Sequence, residues 1–235
     1  ARSGLAVEEL KISPGERVGI IGPVGSGKST LLKVMAGLFP PQSGVAYLSG
    51  LDLNQIAEDH LRRHVGYVGQ EFRLVNGSLR EQLTFGISDP GDDAILAAAE
   101  ATGLNKLISA HPKGLELPIS EGGRGVSGGQ RALVGLTRLM LAKPKILLLD
   151  EPTAALDQET EEQALRAIVG NLDTNDALVM VTHKISLLNM VQRLIVVVNG
   201  KIIFDGPTAA VLQKRSPSSA NATAPVSANI QKVTI

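Results

Sequence analysis

The chain has 235 residues, 43% of them hydrophobic, and its 23 basic and 23 acidic side chains give a formal net charge of zero. That length sustains one substantial core with room for a smaller subdomain. The charge balance lacks the basic excess usual of a nucleic-acid partner, and aromatics, at 3%, are too few for a base-stacking platform. With no cysteine, disulfides and thiolate metal sites are excluded.

No apolar run approaches the roughly 20 residues that span a bilayer, and no signal peptide opens the chain. By itself the chain reads as soluble and intracellular. It begins with Ala1 rather than methionine, which is expected of a piece of a longer protein.

Strand and helix patterns alternate along the sequence. Residues 17–21 form a short apolar run before a glycine loop and read as a buried strand. Leu31, Leu32, Met35 and Leu38 then recur at helical spacing, and Pro40 and Pro41 are expected to end that helix. Residues 45–49 and 65–68 read as strands. The alanine-rich stretch 92–108 predicts one helix, started by Asp92 or Asp93. Leu133, Leu136, Thr137 and Met140 mark another.

Residues 146–149 are continuously apolar, as in a parallel strand covered on both faces. Leu165, Ile168, Val169 and Leu172 predict an amphipathic helix, and 178–181 a buried strand. Residues 194–198 and 201–204 flank Asn199-Gly200, a hairpin turn signal. The tail 216–235 is low in complexity and is expected to be disordered.

Two segments carry chemistry on their own. Gly22, Pro23, Val24, Gly25, Ser26, Gly27, Lys28 and Ser29 fit G-x-x-x-x-G-K-[ST], after a strand and before a helix, with Thr30 next. Glycines let backbone amides wrap phosphates, and the helix N-terminus adds positive partial charge. Lys28 is expected to reach the β- and γ-phosphates of ATP, and Ser29 to coordinate Mg2+. Asp150 and Glu151 end the run 146–149, where α/β sheets place ligands. Asp150 is expected to bind magnesium, and Glu151 to act as general base. A bland reading stands beside this one, since an acid pair also opens many loops.

Together the pieces resemble ATP-binding cassette proteins. VSGGQ at residues 126–130 is similar to that family's signature motif and lies upstream of ILLLDEP. Gln70 matches its Q-loop glutamine, AALD at residues 154–157 its D-loop, and His183, in VTH, its switch histidine. The resemblance covers roughly residues 5–210. It implies an α/β fold of the P-loop NTPase type, with a mostly parallel sheet flanked by helices. A helical subdomain at about residues 72–131 would be inserted, and a reduced antiparallel β part would lie at the N-terminus. Residues 1–215 would form the nucleotide-binding domain. On local grounds alone, Ser127 and Asp157 read equally as helix N-caps, and His183 as a packing residue.

What the resemblance implies for mechanism is a head-to-tail pair of cassettes with ATP between them. Ser127, Gly128 and Gly129 of one copy would face the ATP held by the partner copy. Glu151, His183 and Gln70 would be catalytic, and Ser29, Gln70 and Asp150 would hold the metal. Residues 76–86 and 120–129 are similar to exporter segments, nearest those of bacterial type I secretion. That implies a transmembrane domain fused upstream, an adaptor and an outer-membrane channel as partners, and a place on the cytoplasmic face of the bacterial inner membrane. Phe72, Leu74 and Val75 would dock the membrane part or pack under the insertion.

The alternatives are a lipid, peptide or drug exporter, a soluble cassette ATPase without transport, a regulatory cassette, or an importer. One departure stands out. Cassettes stack adenine on an aromatic before the phosphate loop, and here none precedes Gly22. Losing such a contact costs of order 1 kcal/mol.

Overall fold

The computed structural model describes residues 4–70, 72–212 and 232–234. They divide into two compact units, residues 1–62 with 175–235, and residues 63–174. In chain order the elements are β1 (Glu9–Lys11), β2 (Arg17–Ile21), α1 (Lys28–Met35), β3 (Ala46–Leu48), β4 (Leu51–Asp52), α2 (Glu58–His64), β5 (Val65–Val68), β6 (Gly77–Ser78), α3 (Leu79–Thr84) and α4 (Asp92–Thr102). There follow α5 (Asn105–Ala110), β7 (Pro118–Ile119), α6 (Gly128–Ala142), β8 (Ile146–Asp150), α7 (Gln158–Gly170), β9 (Ala177–Val181), β10 (Arg193–Val198), β11 (Lys201–Pro207), α8 (Thr208–Leu212) and β12 (Lys232–Thr234). The fold is mixed α/β with mostly parallel strands flanked by helices.

In the first unit the strands run β11, β10, β2, β9. β2 pairs in parallel with β10 on one side and β9 on the other, while β10 and β11 form the antiparallel hairpin. Val18, Ile20, Val179, Val181, Leu194 and Ile195 are fully buried, as continuous apolar runs require. A smaller sheet has the order β1, β12, β3, β4. Its β1–β12 and β12–β3 pairs are parallel and its β3–β4 pair antiparallel. The expected disordered tail lies mostly outside the described residues; its stretch 232–234 is the strand β12.

Arg193 fastens the lower end of this unit. Its guanidinium grips Asp205 through two bonds of 2.5 and 2.6 Å, and donates to the Lys11 carbonyl at 2.8 Å and to Glu16 at 3.2 Å. The hydrogen bond to Asp205 is the main cause that raises its pKa.

The β10–β11 turn is the one the sequence announces. Asn199 and Gly200 have φ of 49° and 78°, the left-handed pair that a type I′ hairpin needs. Less legible is where the turn goes. The Gly200 amide donates to the Ser26 carbonyl at 3.0 Å, and its carbonyl accepts from Ala6 at 2.7 Å. A Cβ at Gly200 would stand 2.2 Å from the Gly4 carbonyl oxygen.

The second unit pairs β5 with β8 in parallel, Val65 opposite Ile146 and Val68 opposite Leu149. On α6, Val134 and Leu136 are fully buried, with Leu133 and Leu139 nearly so. Ile95 and Ala99 of α4 and Leu79 and Leu83 of α3 are likewise fully buried. Two threonines meet inside: the hydroxyls of Thr102 and Thr137, both fully buried, lie 2.6 Å apart. One of the two hydroxyls donates to the other, and the remaining proton goes to the carbonyl four residues earlier, Ala98 for Thr102 or Leu133 for Thr137.

Two helix boundaries differ from expectation. α1 stops at Met35, before the prolines. Gly37, at φ 64°, closes a Schellman motif in which Gly37 donates to Val34 and Leu38 to Lys33. The stretch 92–108 is two helices, divided by Gly103 at φ 85°. α4 starts at Asp92 with Asp92 and Asp93 in its first turn, but its N-cap is Gly91, which has no side chain to cap with; Asp92 is ion-paired with Arg80, which also binds Glu116 at 2.7 Å.

Thr137→Ala should destabilise the chain by about 0.5–1.5 kcal/mol in urea unfolding, because it removes one hydroxyl of the buried pair. Adding Thr102→Ala should cost less than the sum of the two single changes. Gly200→Ala should cost more than the roughly 1 kcal/mol of strain at a left-handed position, since its Cβ also meets backbone. For a chain of this size that lowers Tm by at least about 2–4 °C in a thermal melt.

Candidate functional site

In the first unit, the phosphate loop leaves the C-terminal end of β2 and His183 follows the end of β9. Ile20 lies opposite Val181 in register, so both segments emerge from the same edge. The Thr182 amide donates to the Ile20 carbonyl at 3.3 Å, and the Thr182 hydroxyl accepts from Lys184 at 3.0 Å. That local turn leaves His183 exposed.

Gly22, at φ 152°, has no substitute: a Cβ there would lie 2.0 Å from the Val197 carbonyl oxygen of β10. Lys28 opens α1 and is 5% exposed. Its ammonium donates to the carbonyls of Gly22 at 2.9 Å and Pro23 at 2.8 Å, spanning the loop from within. Val24, 92% exposed, forms the tip, while Ser29 and Thr30 are exposed at the start of α1. Gly25, Ser26 and Gly27 complete the loop, with the Ser26 amide bonded to the Pro23 carbonyl at 3.2 Å.

Beside this loop is an open cavity of about 1450 Å³. Gly25, Gly27, Lys28, Ser29 and Thr30 line one side, and Leu5, Val7, Phe39, Tyr47 and Asn199 contribute elsewhere. No aromatic residue precedes Gly22 in the sequence. Phe39 and Tyr47 come later in the chain yet lie on the same cavity, with Lys33 over the Phe39 ring at 5.4 Å. No periodicity reveals that; only the position of β3 does.

In the second unit, Gln70 follows β5 and Asp150 and Glu151 end β8, so these too share one edge. The Gln70 Nε2 donates to Glu151 Oε2 at 2.9 Å. Two residues 81 positions apart and expected to act together are thus in contact. Glu151 has a φ of 49°, a left-handed geometry rare outside glycine. Asp150 is 3% exposed, and the Tyr67 hydroxyl donates to its Oδ2 at 3.3 Å. Burial first, and then the charge of Asp150, push the Tyr67 pKa up, so the phenol stays protonated and donating.

Ser127 is the N-cap of α6 in a capping box: its hydroxyl accepts from the Gln130 amide at 3.1 Å, and Gln130 Oε1 accepts from the Ser127 amide at 2.7 Å. Gly128 and Gly129 form the first turn of that helix, with Ser127 exposed before it. Asp157 is the N-cap of α7, accepting from the Thr160 amide at 3.0 Å and hydroxyl at 2.8 Å. Those bonds hold its pKa below the usual carboxylate range.

Sequence reasoning missed a second feature of this unit. Arg138 stands over the exposed Phe85 ring at 5.0 Å, and burial lowers its pKa. Val75 is exposed as well, whereas Leu74 is buried and Phe72 packs on the Gly135 backbone.

Among the described residues no group of three or more His, Asp or Glu forms a metal cluster, and no helix is long and apolar enough to cross a membrane. In the second unit the oxygen donors of Asp150 and Gln70 are of the kind that suits a hard cation, as is the exposed hydroxyl of Ser29 in the first unit. The buried carboxyl of Asp150 fits that chemistry.

Comparison with known proteins bears on this arrangement. The family model for ABC transporters matches residues 6–154. The ATP-binding cassette sub-family B member 6 of Rattus norvegicus is 34% identical over 91% of this chain and 25% of its own length. The glutathione/L-cysteine transport system ATP-binding/permease protein CydC of Haemophilus influenzae is 34% identical over 88% of this chain and 36% of its own length. The ATP-dependent lipid A-core flippase of Neisseria meningitidis is 38% identical over 84% and 32%. A solved bacterial Atm1-family ABC exporter with ATP bound superposes with a TM-score of 0.78 at 26% identity, over 87% of this chain and 36% of that one. The chain thus spans about a quarter to a third of the length of the relatives it matches. It belongs to the ABC transporter family, as an ATP-binding and ATP-hydrolysing domain of exporter type.

Proposed function

We propose that this domain hydrolyses ATP to power a membrane exporter, paired head to tail with a second copy and joined to a transmembrane domain. The observation that carries the proposal is the Gln70–Glu151 contact at the end of β8, beside the buried Asp150. A carboxylate, a carboxamide and a buried second acid thus stand on one sheet edge, and Glu151 holds a left-handed φ there.

In this reading the backbone amides of residues 24–29 and the ammonium of Lys28 hold the β- and γ-phosphates. Thr30 adds a donor at the same helix start. Ser29, Asp150 and Gln70 hold Mg2+, which when bound neutralises phosphate charge. Glu151 accepts a proton from the attacking water as the water oxygen bonds to the γ-phosphorus and the bridge to ADP breaks. His183 steadies the γ-phosphate. Ser127, Gly128 and Gly129 offer a second anion cradle to the ATP of the partner copy. Tyr47 and Phe39 supply apolar surface for the base. Residues 1–215 form the functional domain, with residues 72–131 as its helical part.

The relatives' names bear on what is exported. They speak of glutathione and L-cysteine transport and of a lipid A-core flippase. Those names favour the alternative reading, a lipid, peptide or drug exporter, over type I protein secretion with its adaptor and outer-membrane channel. The domain would then work on the cytoplasmic face of a membrane. The exposed Phe85, with Arg138 beneath it, and Val75 offer a face for the transmembrane part. This adds Phe85 to the segment that the sequence singles out.

Glu151→Gln should lower kcat at least about 100-fold, the usual contribution of a general base, while ATP still binds. Turnover at the wild-type rate would overturn the assignment. Ser127→Ala should leave binding by the single copy intact and abolish the ATP-dependent dimer in sedimentation.

A further inference from the structure

Glu161 is a carboxylate at 1% exposure that no step above uses. It lies in the first turn of α7 and accepts a hydrogen bond from the hydroxyl of Thr153, itself 3% exposed. Taking a carboxylate out of water is costly, and an apolar pair would fill this volume more cheaply. The bond therefore invites a reason beyond packing.

That reason lies in what Thr153 belongs to. The turn from Glu151 to Asp157 joins β8 to α7. Ala154 donates to the Glu151 carbonyl at 3.3 Å, Leu156 donates to the Thr153 carbonyl at 3.0 Å, and Asp157 caps the helix. These bonds are all short-range. The Thr153–Glu161 bond reaches eight residues and ties the middle of the turn to the body of α7.

The outer side of the same turn touches α6. A Cβ at Gly129 would lie 2.9 Å from the Ala155 carbonyl oxygen, and one at Gly128 would lie 3.4 Å from the Ala155 Cβ. The start of α6 thus rests directly on Ala155, two residues from Thr153. One short turn carries Glu151 at its first position and supports Ser127–Gly129 at its fifth.

We propose that Thr153 and Glu161 are positioning residues whose buried hydrogen bond sets the turn 151–157, and through Ala155 couples the placement of Glu151 to the helix start that presents Ser127 and Gly129. This rests on the roles given above to Glu151 and to residues 127–129. It adds that a disturbance at either place is felt at the other, because both lean on one turn.

The test compares Thr153→Val, which removes the hydroxyl at nearly constant volume, with Thr153→Ser, which keeps it. In hydrogen exchange on the 235-residue chain, Thr153→Val should speed the amides of both 151–157 and 127–131 by about tenfold or more. β2 and β9 should stay at wild-type protection, and Ser should restore both segments. In steady-state assays, Val should lower kcat about tenfold with KM for ATP within about twofold. Wild-type exchange in both segments, or loosening at 151–157 alone, overturns the coupling. So does a serine variant as impaired as the valine variant. Glu151→Gln, assayed in parallel, separates the two ideas. Full turnover there sinks the catalytic reading, and the exchange data still decide whether the turn couples the two segments.

Discussion

The main chain of the phosphate loop lies against the end of β10 so closely that only the absence of a side chain at Gly22 permits it. Much of the first unit follows from that approach. The loop must keep its amides directed outward, so its shape has to be held from other groups. Val197 presses from behind, Gly200 binds the Ser26 carbonyl, and Lys28 spans the Gly22 and Pro23 carbonyls. Each support engages a carbonyl or fills space, and none consumes an amide of the tip. An anion site built this way is pre-formed, and ligand binding need not order the loop.

The second unit solves a different problem. In the reading proposed above, the carboxylate that accepts a proton must be held without an ion pair. Gln70 donates to Glu151 through an amide, so this partner on that edge is a neutral one. Asp150 next to it is buried and receives a phenol hydroxyl instead. Adjacent acids on one strand end thus have different surroundings, and different chemistry follows. The left-handed turn at Glu151 directs the chain away from the strand at once, which sets the two side chains apart.

Much of this was legible in the sequence. Residues 17–21, 146–149 and 178–181 read as buried strands because their apolar runs are unbroken, and the structure has strands there. The motif glycines and Lys28 announce a phosphate loop because few other uses need that spacing. The sequence misled where a local signal had a competitor. Pro40 and Pro41 look like the end of α1, but Gly37 ends it first. Asp92 looks like a cap, but the cap position falls on Gly91 and Asp92 is paired with Arg80. Tyr47, Phe39 and the Gly200 amide stayed invisible, because their relation to the loop depends on tertiary placement that no local period encodes. The fusion of signature glycines to Ala155 is of the same kind.

The Asn199–Gly200 turn also bears on how the chain comes to fold. It gathers Gly4, Ala6 and Ser26 from the beginning of the sequence and Val197 from near its end. The first unit is therefore discontinuous, and its phosphate loop gains its backing only after about 170 further residues have left the ribosome, whereas residues 63–174 are one continuous stretch. Contacts so distant in sequence form slowly, because closing the intervening chain costs entropy before any contact repays it. During synthesis the second unit can consolidate while the nascent loop, strand β2 and helix α1 still wait for their partners. The nucleotide grip is then among the last features to mature, and a chain cut short before residue 200 would carry the whole phosphate-loop motif without the Gly200 amide that braces Ser26.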